Sequence, residues 1–219
     1  MNEQKNCIQE QMIQVSKSSR LVSAFVDYLP MMCISIIANA IAMKMFQNEF
    51  DMNSYMGSTA HMSEEESLML MRQMFNGLSV MMLPLSIACG IGYTYFLCKD
   101  FFGGRSIGKR LHKYQLVRLD GGQVSYLRMA VRNLFLVIWP VEFILYMANS
   151  GQRLGDILCK TTVVPATEEN KQPIDTQKLI TAIALVAVFC TAISYLYYQG
   201  LMIFFSWYSL FIENMILRM

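Results

Sequence analysis

The sequence predicts an all-α polytopic membrane protein, with three transmembrane helices, a short re-entrant or fourth hydrophobic segment, and a small cytoplasmic β element. Three observations lead there. Hydrophobic residues make up 54% of the 219 positions and charged residues only 16%, against about 25% charged in soluble domains. The mean hydropathy is +0.34. Third, the charges avoid three long runs, and this distribution separates a membrane chain from a soluble one with a rich core. The same figures exclude a disordered chain, a fibrous repeat and a basic nucleic-acid binder.

The run 21–43 holds a single charge, Asp27, and reaches roughly 35 Å as a helix, enough for a hydrocarbon core of about 30 Å. The runs 77–98 and 179–199 hold none, and the last ends in a Tyr cluster suited to a membrane interface. A fourth run, 134–148, is short and contains Pro140 and Glu142. Its length and its Pro fit a re-entrant or interfacial segment better than a full span. A fifth, 201–212, is expected as a short closing span or an aromatic interfacial helix, with Gly200 marking the break before it. The first 20 residues lack an apolar leader core, so no cleavable signal is expected. Ile8, Met12 and Val15 fall near one face of a short amphipathic stretch.

Basic residues mark the cytoplasmic side. Segment 44–76 sets Lys44 and Arg72 against Glu49, Asp51, Glu64, Glu65 and Glu66, a net of −3. Segment 99–133 sets Lys99, Arg105, Lys109, Arg110, Lys113, Arg118, Arg128 and Arg132 against Asp100 and Asp120, a net of +6. The N-terminus and 99–133 are therefore expected inside, in a cell (inner) membrane, and 44–76 outside. Segment 149–178 is charge-balanced; it lies outside if 134–148 crosses and inside if that run dips and returns. Ser63–Glu66 reads as a capping box that starts the second helix well before the bilayer.

Gly103–Arg110 reads GGRSIGKR, one residue short of a phosphate loop, with Arg110 where the magnesium-binding hydroxyl belongs. A tight glycine turn leaving the membrane is the simpler reading. Alternation around Asp120–Gly121 suggests a short hairpin or a strand with a turn. Thr161–Val164 is β-prone and can pair with Gln115–Leu119 if both lie on one side. Ser125 can cap a helix over 126–133, with Arg128 and Arg132 on one face. The six cysteines lack C-x-x-C spacing and His61 and His112 stand alone, so neither a disulfide nor a metal site nor any cofactor is expected.

These residues also form a pattern. Arg20-x-x-x-Ala24-x-x-Asp27 is followed by Gly104-Arg105-Ser106-Ile107-Gly108-Lys109-Arg110, then Leu116, Val117, Gly121, Ser125 and Arg132. Last come Arg153-Leu154-x-Asp156 and Thr161-x-Val163-Val164. In this the chain resembles the RDD family of bacterial membrane proteins, named for one Arg and two Asp. The resemblance makes Arg20, Asp27 and Asp156 the name-giving residues. It departs at Gly155, where members often have His, and at Lys160, where they often have Gly. It covers roughly residues 17–165, so the chain divides into an RDD-like membrane domain, 1–165, and a second part, 166–219, with a linker, an additional transmembrane helix and an aromatic C-terminal helix. The resemblance implies a bacterial inner-membrane location, and ion transport, including sodium/proton antiport, has been proposed for the family.

An ionised Asp within a span costs roughly 2.5–3.5 kcal/mol on insertion scales, so Asp27 needs a cation, an ion or a proton. Arg20 reaches only part of the way, and Arg128, Arg132 and Arg153 are the expected further partners. In one reading Asp27 and Glu142 are proton or cation sites of a small transporter. In the other, Arg20, Asp27 and Asp156 form a structural network in a non-catalytic scaffold or assembly partner. Arg105, Lys109, Arg110, Arg128, Arg132 and Arg153 are read as an inner surface facing anionic lipid. The expected partners are the bilayer and a second copy or another membrane protein, with no nucleic acid. No nucleophile–base pair or metal cluster points to an enzyme.

Overall fold

The computed structural model describes residues 15–50, 63–120, 122–148, 153–167 and 172–217. Ile8, Met12, His61 and Gly121, which figured in the sequence reading, lie outside them. Three long helices dominate: α1 (Lys17–Glu49), α2 (Glu64–Cys98) and, near the end of the chain, α7 (Thr176–Ile216). Each contains one of the three long apolar runs, and each is long and apolar enough to cross a membrane. Their apolar side chains point outward, with Ile36 66% and Val188 69% exposed. Such exposure suits lipid as the solvent and would be costly in water. Pro30 and Pro84 sit inside α1 and α2. Membrane helices tolerate this because neighbouring groups re-satisfy the freed backbone.

Between α2 and α7 lie short elements: α3 (Ile107–Leu111), β1 (Tyr114–Arg118), α4 (Tyr126–Leu134), a 3-10 turn (Phe135–Ile138), α5 (Trp139–Ala148), α6 (Leu154–Cys159) and β2 (Thr161–Pro165). β1 and β2 pair antiparallel, with Gln115 opposite Val164 and Val117 opposite Thr162. The expected pairing therefore forms, and β1's partner comes from after α6, not from across the Asp120 turn. That turn is held locally by Gly122 N–H donating to Asp120 Oδ1 at 3.1 Å. Ser125 caps α4, accepting from Arg128 N–H. Ser63 and Glu66 exchange the two bonds of the capping box, at 2.8 and 3.2 Å.

The chain divides into two compact units. The first takes residues 1–31 and 93–188, and the second takes 32–92 and 189–219. The first unit's core joins Cys98, Phe101, Leu116, Met129, Val163 and Leu179. Within the second, Phe75 stacks on Tyr208 at 4.1 Å. A Cβ on Gly77 would meet the Phe46 ring at 2.9 Å, and one on Gly90 would meet Ser194 Oγ at 3.2 Å, so these glycines let neighbouring helices approach closely.

One expectation changes. Run 201–212 is not a separate helix, because α7 passes through Gly200 without interruption. An isolated helical Gly costs only about 1 kcal/mol, less than the apolar residues on both sides return. Run 134–148 follows the re-entrant alternative. At its start Asn133 Nδ2 donates to Leu97 O at 3.2 Å, and near its end Tyr146 Oη donates to Lys17 O at 2.8 Å. Leu97 ends α2 and Lys17 begins α1, at the same end of the first unit, so the segment returns to the side it left. Pro140 falls in the first turn of α5, where a missing N–H breaks no helical bond.

Candidate functional site

The first unit buries a cluster of ionised side chains at the ends of α1 and α2. Asp27 is 3% exposed, and both oxygens of its carboxylate accept hydrogen bonds. Oδ2 accepts from Ser106 Oγ at 2.6 Å and Oδ1 from Gly108 N–H at 2.8 Å. Lys99 Nζ stands 3.9 Å from Oδ2. The glycine turn makes this possible. Gly103 and Gly104 adopt φ of +71° and +72°, a region that favours glycine. A Cβ on Gly108 would sit 1.9 Å from Ser23 O, so only glycine lets α3 touch α1. The near-phosphate loop thus cradles a carboxylate of its own chain.

Beside it lies a second carboxylate, Asp100, wholly buried and ion-paired to Lys109 and to Arg132, the latter at 2.8 Å. Arg132 turns its Nε to Asp156, so one guanidinium joins two carboxylates. Asp156 also accepts from Arg153 N–H at 3.4 Å and from Thr161 Oγ1 at 3.5 Å. Arg20 donates through Nη2 to Val163 O on β2. Glu142 is buried, and its Oε1 accepts from Gly155 N–H at 2.9 Å. Arg20, Asp27, Lys99, Lys109, Arg132 and Asp156 all line one cavity of about 30 Å³, with room for about one or two waters.

Arg20, Asp27 and Asp156 meet around one cavity, but the cation beside Asp27 is Lys99, in place of the expected Arg128, Arg132 or Arg153. Lys109 and Arg132, expected at a lipid-facing surface, are buried, because Asp100 and Asp156 draw them inward. Arg128 is exposed and Arg153 half-buried. α6 covers the last turn of α4, where a Cβ on Gly155 would lie 2.4 Å from Arg132 O, and leaves Arg128 free of that cover. Arg105 is half-buried and Arg110 exposed. Lys99, Asp100, Ser106 and Gly108 carry no site role in the sequence reading, where the first two enter as charges and the last two within the family pattern. The available signal was Asp100 itself, a carboxylate just past an apolar span in a strongly basic segment.

The electrostatics follow from burial and pairing. Burial pushes the Asp100 carboxyl up, but Lys109, Arg132 and Lys99 outweigh it and hold the group well below the usual carboxylate range. Asp156 is lowered likewise, with Arg132 and Arg153 overcoming its burial. Arg132, flanked by both, is raised despite its own burial. Lys99 goes the other way. Burial dominates, Asp100 and Asp27 offset only part of it, and its amine is lowered to about 7. Its Nζ also lies 4.4 Å from the Phe96 ring centroid, a cation–π contact.

A lowered lysine gives a definite sign. Between about 7 and the usual 10.5 the unfolded chain binds the proton and the folded chain does not, so stability rises with pH across that window. Thermal unfolding in micelles is expected to show this rise in the parent chain and a smaller one in Lys99→Met. An equal slope in both would remove Lys99 as its source.

Three lipid-length helices with a buried charge network at one end define a multi-pass membrane protein. Residues 15–149, more than half of the chain, match the model of the RDD family, and the chain belongs to that family. Arg20 and Asp27 lie inside the matched stretch and Asp156 beyond it. A comparison with curated proteins and with solved structures finds no match.

Proposed function

We propose that this chain is a non-catalytic scaffold of the inner membrane, an assembly partner for a second copy or for another membrane protein. Its Arg-Asp-Asp network would hold the helix ends together. The observation that carries this reading is the occupancy of the carboxylates. Asp27, Asp100 and Asp156 each have fixed protein partners, and the cavity that Asp27 and Asp156 line has a volume of only about 30 Å³. A transport site needs groups that can exchange ligands, whereas buried carboxylates held by fixed donors and cations resist that exchange. The net of +6 in segment 99–133 supports placing this end, and the N-terminus, in the cytoplasm.

A second reading, a small cation or proton transporter, is favoured by Lys99, a buried amine 3.9 Å from Asp27 Oδ2 whose proton is exchangeable near neutral pH. Proteoliposomes with an imposed pH gradient separate the two. The scaffold reading expects no cation-dependent dissipation above empty vesicles, together with one stoichiometric partner, or a second copy, retained in mild detergent. Dissipation that disappears in Asp27→Asn overturns it in favour of transport. For orientation, a cysteine at Asp120 is expected to resist an impermeant maleimide added to intact cells; ready labelling reverses the topology.

A further inference from the structure

Arg105 and Arg110 share a groove beside the charge network, whose Lys99 also lines it. It runs from the last turns of α2 to the first turns of α7, has a volume of about 390 Å³, and is lined by Tyr95, Phe102, Ile107 and Ile183 together with the two arginines. An adjoining groove of about 340 Å³ shares Phe102, Arg105 and Arg110. No carboxylate lines either one. Arg105 forms no ion pair among the described residues, and its Nε is buried without a hydrogen-bond partner. Arg110 donates to Phe102 O at 3.3 Å and keeps its other N–H groups for a ligand. Lys109 and Arg132, by contrast, are committed to Asp100 and Asp156.

Place and surroundings name the ligand. The groove lies at the end of the apolar run of α2 and the start of that of α7, the level at which spanning helices meet lipid headgroups. Phe102, Ile107 and Leu111 stand 45%, 49% and 68% exposed beside the arginines. Apolar side chains next to guanidinium groups at this level match an amphiphile with an anionic head. A guanidinium suits phosphate because its planar fork presents parallel donors to two oxygens. We propose that this groove binds the phosphate of an anionic phospholipid, with Arg105 and Arg110 on the phosphate and an acyl chain along Ile107 and Ile183. The site borders the charge network at Lys99, but its phosphate contacts are Arg105 and Arg110, and it holds whether the chain is a scaffold or a transporter.

Native mass spectrometry of the full chain in zwitterionic detergent, titrated with phosphatidylglycerol or phosphatidylcholine, tests this. Phosphatidylglycerol is expected to bind one to one, at least ~10-fold tighter than phosphatidylcholine. Arg105→Gln with Arg110→Gln should lose ~10-fold or more, and Arg128→Gln nothing. Ile183→Trp, which fills the apolar wall without changing charge, should also weaken binding. If the double variant loses its helical circular dichroism, Arg110→Gln alone, on an exposed side chain, should still weaken binding severalfold. Equal phosphatidylglycerol affinity in parent and arginine variants overturns the site. So does equal affinity for the two lipids, or full displacement by millimolar inorganic phosphate, which would mark a free-anion site.

Discussion

Arg132→Met is expected to destabilise the protein by about 3–5 kcal/mol, a loss read as a lower unfolding midpoint in micelles. Arg132 is 4% exposed and joins Asp100 to Asp156. Removing it leaves two buried carboxylates without their shared cation, and an uncompensated buried charge costs more than the pair contributes. Lys109 remains on Asp100, so Asp156 bears most of the damage. The double variant Arg132→Met with Asp156→Asn should therefore recover part of the loss. Arg132→Lys should not restore the parent, since one ammonium cannot present separate Nε and Nη1 donors to two carboxylates. Strict additivity in the double variant would mean that the two side chains do not interact.

Gly108→Ala is expected to cost about 3 kcal/mol or more. The added Cβ would meet Ser23 O at 1.9 Å and the Ser23 carbonyl carbon at 2.8 Å. Both are backbone atoms, so no rotamer change relieves the clash and α3 must leave α1. That movement also breaks the 2.8 Å bond from Gly108 N–H to Asp27 and separates the Asp27 carboxylate from its donors. Gly200→Ala is the matched control. Nothing lies within 4 Å of a Cβ there, so alanine should be neutral or gain about 0.5–1 kcal/mol from helix propensity. Similar losses at both positions would mean that the close approach at Gly108 is not what holds α3.

Much of the fold is visible in the chain itself, because the signals are local and large. A run of about 20 apolar residues crosses a bilayer whatever surrounds it. Hence 21–43, 77–98 and 179–199 are recognisable alone, as are the Ser63 and Ser125 caps. The end of α7 was less legible, since Gly200 is a weak breaker and its effect depends on the residues around it. The candidate site was partly legible. Asp27 and Glu142 stand out as charges in apolar runs, and Arg20 and Asp156 through the family pattern. Lys99 and Asp100 look like two more charges at the edge of a basic segment, where pairing cannot be told from solvation.

The sequence by itself determined the membrane class, the three spans, the strand pairing partners and the presence of costly charges within or beside apolar runs. Only the tertiary structure decided which cation meets which carboxylate, that run 134–148 turns back, and that Gly108 and Gly155 are points of backbone contact. The physical reason is range. Desolvation of an apolar run is a sum over neighbouring residues, whereas an ion pair or a glycine contact depends on one position tens of residues away. Asp27 against Gly108 and Arg132 against Asp156 are such contacts, and only the packing of the first unit brings them together.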